Sequence, residues 1–236
     1  MSGTMATSRP TTDAAPGPTL GVVVIDPLPV IRAGLSLLID ADPDLGVLAA
    51  AGDAGEALDS LARLRRSKVL VLVGLGLQGH HDAVWLIREI RERFPGHTVL
   101  AMGANADATA VSRALFVGAD GFVDKNVEPV AFVEALRRAG QNEMVLEGPA
   151  PSDVGEIAGG IERRRDIDAR LTAREREVLA IAAEGLTARE IAVRLGVRER
   201  TITTHLARIY GKLGVSNRLA AIRSATRSGL VSVGGE

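Results

Sequence analysis

Five short apolar runs, spaced so that a helix fits between each and the next, constrain this chain more than any other feature. Val22-Val23-Val24-Ile25 is continuous and β-branched, and Val47 to Ala51, Val69-Leu70-Val71-Leu72-Val73, Val99-Leu100-Ala101-Met102 and Gly121-Phe122-Val123 repeat its character. A strand that is apolar at every position is buried on both faces. The intervening stretches, Val30 to Leu38, Ala54 to Leu64, Ala83 to Phe94 and Asp107 to Phe116, with Val130 to Ala139 after the last run, have the length that βα crossovers require. The spacing predicts an α/β fold over residues 20–141, a doubly wound, five-stranded parallel sheet with helices on both faces. Ligands of such sheets sit at the carboxyl ends of the strands. The residues there are Asp26-Pro27, Gly74-Leu75, Gly103-Ala104 and Asp124-Lys125.

After residue 169 the pattern changes to a small all-α domain. Thr172 is followed three residues later by Glu175, and Thr187 by Glu190, two capping boxes that start two helices. Val178, Leu179 and Ala182 form the apolar stripe of the first, Ile191, Ala192 and Leu195 that of the second, and Gly185 and Gly196 end them. The tight connection Gly196-Val197-Arg198-Glu199 predicts a helix-turn-helix. On the third helix Ile202, Leu206, Ile209 and Leu213 recur at helical spacing, which puts Arg200, Thr203, Thr204, Ala207, Arg208 and Gly211 on the opposite face and His205 and Lys212 on the flank. A fourth helix, from Arg218 to about Ser228, is expected to be capped by Ser216.

Charge divides at the same boundary. The whole chain has a net charge of -1, but residues 1–169 carry 16 basic and 23 acidic side chains (net −7) and residues 170–236 carry 12 and 6 (net +6). A basic unit joined to an acidic one predicts a polyanion binder attached to something that must not bind the polyanion. Residues 142–169 read as a linker, with Gly148-Pro149-Ala150-Pro151, the pair Gly159-Gly160, a solvated run Arg163-Arg164-Arg165, and a short helix around Asp153 to Ala158. Residues 1–19 read as a disordered tail, with no apolar core like that of a signal peptide. No cysteine is present, which excludes disulfides, thiol nucleophiles and the usual structural zinc sites and fits a reducing, cytoplasmic setting. Aromatics at 3% argue against stacking platforms for single strands. No run is long enough for a membrane span. His80-His81-Asp82 is read as a polar loop and not as a metal cluster.

The first region resembles the receiver domain of bacterial response regulators, on Ile25-Asp26-Pro27-Leu28-Pro29-Val30-Ile31-Arg32-Ala33-Gly34-Leu35 and Gly118-Ala119-Asp120-Gly121-Phe122-Val123-Asp124-Lys125, over roughly Gly21 to Gln141. The resemblance implies an acidic pair after the first strand and an aspartate after the third, together holding magnesium and accepting a phosphoryl group, with a hydroxyl residue and a lysine contacting it. Here Asp26 keeps the first acidic position, Pro27 takes the second, Gly74-Leu75 end a third strand without an acid, Gly103 stands for the hydroxyl residue, and Lys125 survives. Magnesium takes several hard oxygen ligands and phosphotransfer needs a nucleophilic carboxylate. One carboxylate cannot supply both, so a receiver that works without phosphorylation and without a cofactor is expected. Asp26 and Lys125 are read as a semi-exposed ion pair contributing about 1 kcal/mol; the alternative is a small-molecule site in which Lys125 meets an anionic group.

The second region resembles the LuxR-type helix-turn-helix of NarL/FixJ-class response regulators. The matching segments are Leu171 to Leu179, Glu184 to Ala192, Thr201-Ile202-Thr203-Thr204-His205-Leu206 and Lys212-Leu213-Gly214-Val215. The resemblance implies that the third helix docks in the major groove of double-stranded promoter DNA, as part of a homodimer. Arg198, Arg200, Thr201, Thr203, Thr204, His205, Ala207, Arg208 and Lys212 are the candidate DNA-binding residues. Arg200, Arg208, Lys212 and His205 are expected on phosphates, and Thr203, Thr204 and Ala207 at base edges. The reading is a transcriptional regulator and not an enzyme, with RNA polymerase as a candidate partner. The alternative is an interaction protein that acts mainly as a heterodimer with another regulator.

Overall fold

The computed structural model describes residues 19–64, 68–78, 81–105 and 107–231. The tail expected over residues 1–19 lies, except for Thr19, outside the described residues. The sheet domain alternates β1 (Leu20–Ile25), α1 (Pro29–Asp40), β2 (Leu45–Ala51), α2 (Ala54–Arg63), β3 (Val69–Gly74), α3 (Ala83–Arg93), β4 (Thr98–Gly103), α4 (Ala108–Phe116), β5 (Gly121–Asp124) and α5 (Pro129–Gly140). A further short strand, β6 (Val145–Glu147), pairs in parallel with β5, so the order is β2-β1-β3-β4-β5-β6. The sheet thus has six strands and not five. The extra strand is only three residues long, and a run so short carries no periodicity to read.

Successive residues of each central strand point to opposite faces. Val23, Ile25, Val71, Val73, Val99, Ala101 and Phe122 pack under α2, α3 and α4, whereas Val22, Val24, Leu70, Leu72, Leu100, Met102 and Val123 pack under α1 and α5. Two buried layers on one sheet explain why these strands have no polar alternation. They also place the ends of β1, β3, β4 and β5 together at one edge of the domain.

The segment read as a linker is folded. After β6, α6 (Pro151–Arg170) runs unbroken for 20 residues, straight through Gly159-Gly160, where a break was expected. Its intrinsic propensity is poor, and packing outweighs it. Ile157 is buried in the sheet-domain core, and a side chain at Gly160 would collide with Ser112, its Cβ lying 2.6 Å from Ser112 Oγ. Glycine therefore serves here to let α6 approach α4 closely. Nor is the arginine run wholly solvated, since Arg164 is buried.

Four helices complete the chain: α7 (Ala173–Ala183), α8 (Ala188–Arg194), α9 (Glu199–Leu213) and α10 (Arg218–Arg227). Their own core holds Leu171, Val178, Leu179, Ile191, Ile202, Leu206, Ile209 and Ala225. Both capping boxes form, at Thr172/Glu175 and Thr187/Glu190. Gly196, at φ 64°, makes the left-handed turn between α8 and α9 that other residues adopt only with strain. The cap of α10 is Asn217 and not Ser216: the Ala220 N–H donates to Asn217 Oδ1 at 2.9 Å.

Candidate DNA-binding surface and receiver pocket

The apolar stripe of α9 is buried at Ile202, Leu206 and Ile209, which turns Arg200, Thr201, Thr203, Thr204, Ala207 and Arg208 to solvent, with Arg198 exposed just before the helix. Thr203 Oγ1 donates to the Glu199 carbonyl at 3.1 Å, and Thr204 Oγ1 to the Arg200 carbonyl at 2.9 Å. With their protons directed into the helix, both hydroxyls keep acceptor lone pairs, suited to an amino group on a base edge. His205 is half-buried, and its Nδ1 is buried without a hydrogen-bond partner among the described residues.

Lys212 departs from the expected set. Its Nζ donates to Glu175 Oε2 at 2.6 Å, and Glu175 is buried on α7. Glu175 Oε2 also accepts from the Thr172 N–H at 2.8 Å. Burial works to raise this carboxyl, but the hydrogen bonds from Lys212 and Thr172 together outweigh it and hold the group below the usual glutamate range. Lys212 is thus engaged in bracing α9 against α7, which the sequence did not reveal as an alternative to a phosphate contact. Arg218 is likewise structural: its guanidinium donates to the Ala182 carbonyl at 2.7 Å and to the Leu186 carbonyl, clamping α10 to the end of α7.

The two domains also touch. Arg88 on α3 donates to the Leu230 carbonyl at 3.1 Å and to the Gly229 carbonyl, just after α10. Burial lowers the Arg88 pKa, while Glu92, Asp168, Asp82 and Glu89 act in the other direction.

At the strand ends, Asp26 is fully buried and forms an ion pair with Lys125 through Oδ2. Its Oδ1 accepts the Leu28 N–H at 3.0 Å, and Arg32 Nη1 donates to its backbone carbonyl at 2.7 Å. The pair is therefore not semi-exposed as expected. Lys125 is committed to Asp26, and its N–H to the Gly103 carbonyl at 2.7 Å. Pro27 is exposed and Gly74 buried, while the Leu75 N–H donates to the Met102 carbonyl at 2.8 Å. A Cβ on Gly74 would lie 2.5 Å from Asp26 Oδ2 and 3.1 Å from the Ile25 carbonyl. The Asp26 carboxylate and the backbone at the end of β1 thus fill the space into which a side chain at Gly74 would project. Magnesium does not fit these residues, because both Asp26 oxygens are engaged and Gly74 brings no side-chain carboxylate.

His81 and Trp85 rings meet at 4.0 Å, while His80 lies outside the described residues. Among the described residues no three His, Asp or Glu side chains group closely enough to hold a metal, and no helix is long and apolar enough to cross a membrane.

Comparison with known proteins places both halves. Residues 22–137 match the response regulator receiver domain and residues 169–225 the bacterial regulatory proteins of the luxR family. The chain is 29% identical over 205 residues to the DNA-binding transcriptional activator DevR/DosR of Mycobacterium tuberculosis, covering 87% of this chain and 93% of that one. It is 30% identical over 202 residues to the nitrate/nitrite response regulator NarL of Escherichia coli, covering 85% and 92%. The solved complex of the response regulator RcsB with DNA shares the fold, with a TM-score of 0.52 at 24% identity over 88% of this chain and 98% of that one. A parallel sheet of receiver topology joined to a luxR-family helix-turn-helix, with relatives matched along nearly their whole length, makes this chain a member of the NarL/FixJ-type response regulators, which are DNA-binding transcription factors.

Proposed function

We propose that the protein is a cytoplasmic, non-enzymatic regulator of transcription that binds double-stranded promoter DNA as a homodimer through α9, and whose receiver works without aspartyl phosphorylation. The observation that carries the DNA reading is the exposed face of α9, where arginines at 198, 200 and 208 flank the small side chains Thr203, Thr204 and Ala207. Arginines at the margins suit phosphates, and small residues at the centre allow the helix to approach base edges. Lys212 is left out of the phosphate set because Glu175 holds it.

Independence of phosphorylation is supported by the buried Asp26–Lys125 pair and by the lack of room at Gly74. The same pair counts against Lys125 as the cation of a ligand site at the strand ends. Dimerisation is supported by Val30 and Leu37 on α1 and Val130 on α5, each more than three-quarters exposed on the α1/α5 side of the sheet.

Mobility-shift titration of genomic promoter fragments with the purified chain, with and without acetyl phosphate, tests the proposal. Saturable binding indifferent to the phosphodonor is expected. Binding that requires the donor would overturn the receiver reading, and binding only in the presence of a second regulator would replace the homodimer with a heterodimer.

A further inference from the structure

We propose that Arg88 fixes the angle between the sheet domain and the helix-turn-helix domain, so that a dimer of this chain accepts only one spacing of paired half-sites on DNA. The inference rests on the reading above that α9 binds DNA as part of a homodimer. Two half-sites are bound together only when the protein holds its two reading helices as far apart, and as turned, as the half-sites are, about 34 Å for one helical turn.

The guanidinium of Arg88, on α3, reaches across the domain boundary to two consecutive carbonyls. Nη1 donates to Leu230 at 3.1 Å and Nη2 to Gly229. Those carbonyls are available because of the way α10 ends. Gly229 takes φ 74°, and the Leu230 N–H returns to the Ala225 carbonyl at 2.9 Å, a left-handed stop that leaves the next carbonyls for a partner outside the helix. A planar fork with two donors fixes direction as well as distance, and the negative end of a helix favours a cation. Gly229 is itself buried, its Cβ direction meeting Arg113 Cγ at 2.9 Å and Val117 Cγ1 at 3.3 Å, so the chain after α10 sits tightly against the end of α4.

The start of the same domain is pinned as well. α6 is docked on α4 at Gly160 and through Arg164, whose guanidinium donates to Ser112 Oγ at 2.9 Å. At the last turn of α6, Arg176 of α7 donates to the Asp168 carbonyl at 3.0 Å and to the Leu171 carbonyl at 3.1 Å. Asp168 stands close enough for its charge to act on Arg88, so α3, α6 and α7 converge there. Held at this end alone, the domain could swing about the two extended residues between α6 and α7, Leu171 and Thr172. A second attachment at Gly229 and Leu230 removes that freedom. In this placement Arg200, Thr203, Thr204, Ala207 and Arg208 all stay exposed, so the docking leaves the outward face of α9 uncovered.

A fixed angle translates into a fixed spacing. Flexibly joined domains accept a range of half-site separations, because effective concentration falls only gradually with the span. Rigidly joined ones lose the second contact when a half-site is moved by half a turn, which carries it to the other side of the duplex.

The chain has no cysteine, so Asp59→Cys on α2 and Arg189→Cys on α8, both at exposed positions, can carry a single pair of spin labels. With labelled chain diluted in unlabelled chain, double electron resonance on the full-length protein should give one narrow distance. Arg88→Glu sets a carboxylate against two carbonyls, beside Glu92 and Asp168, while the buried stripe Val84, Ile87 and Ile90 of α3 stays intact. The distance distribution should broaden, and Arg88→Lys, which reaches one carbonyl at a time, should fall between. A broad distribution in the parent chain, or a narrow one in Arg88→Glu, would overturn the positioning role.

Selection from a pool of random duplexes then reads the spacing. The parent chain should recover half-sites at one spacing, bound at least about tenfold more tightly than the same half-sites moved by half a turn, and Arg88→Glu should recover those half-sites at several spacings. Several spacings with the parent chain, or one spacing with both, would overturn the spacing role. Recovery of unpaired half-sites would overturn it together with the homodimer reading, a failure that the distances, measured without DNA, keep apart from loss of the fixed angle.

Discussion

Lys212, on α9, reaches back 2.6 Å to Glu175, a buried carboxylate that also closes the capping box of α7. One carboxylate thereby starts a helix and fixes the position of another. The exposed face of α9 is held from behind by a charge pair, so its geometry depends on a buried residue of α7.

Glu175→Ala should therefore destabilise the C-terminal domain by about 3 kcal/mol, the low end for breaking a buried pair, because Lys212 retains some access to water. Thermal unfolding of the full chain reads this directly. The pH dependence has a definite sign. Glu175 is held below its ordinary value, so its contribution is complete above about pH 4.5 and is lost as pH falls through the lower folded-state pKa. Lys212→Met should flatten that acid limb, since the largest favourable hydrogen bond is gone.

Placing an aspartate at the end of β3 should not create a phosphorylated receiver. Gly74→Asp drives its Cβ to 2.5 Å from Asp26 Oδ2, with a second carboxylate beside a buried one. A loss of about 2–3 kcal/mol is expected from overpacking and like charge together. No acetyl-phosphate adduct should appear on a phosphate-affinity gel, and an adduct accompanied by unchanged stability would contradict the geometry described for Asp26.

Removing arginines from α9 should act through salt. Arg200→Ala and Arg208→Ala should each lower DNA affinity for all sequences alike and reduce the slope of log K against log salt by about 1. Thr204→Val, which removes an acceptor but keeps the shape, should change sequence preference and leave that slope unaltered. Fluorescence anisotropy over a salt series separates the two behaviours.

His97 should make the sheet domain sensitive to mild acid. The ring is buried, stacked on Phe94 with centroids 5.7 Å apart, and neither nitrogen has a hydrogen-bond partner among the described residues. Burial, and then the charge of Arg91, lowers its pKa. The unfolded chain therefore takes up a proton first, and stability should be full above about pH 6.5 and decline as pH falls below it. Melting curves between pH 7.5 and 5.5 should show that decline, and His97→Phe should reduce it.

The five apolar runs and the caps at Thr172 and Thr187 were legible because strand burial and helix starts are written over spans of three to eight residues. The buried stripe of α9 was legible for the same reason, and with it the exposed side. Three features were not. β6 is too short to show a period, and α6 contains glycines that local propensity reads as breaks, until Ile157 and Gly160 are seen packed against α4. The cap at Asn217 lies one residue from an equally suitable Ser216, a choice that propensity does not resolve.

What the chain's own pattern determined was therefore the class of each half: a parallel sheet whose strands are buried on both sides, and a basic helix-turn-helix. Which cations are free was settled by tertiary structure alone. Lys125 meets Asp26 across 99 positions, Lys212 meets Glu175 across 37, and Arg164 enters α4 beside Ser112 across 52. Hydrophobic period is local and repeats, so it survives in a linear string, whereas a charge finds its partner through whatever the folded backbone brings within a few ångströms, and that proximity is a property of the packed chain.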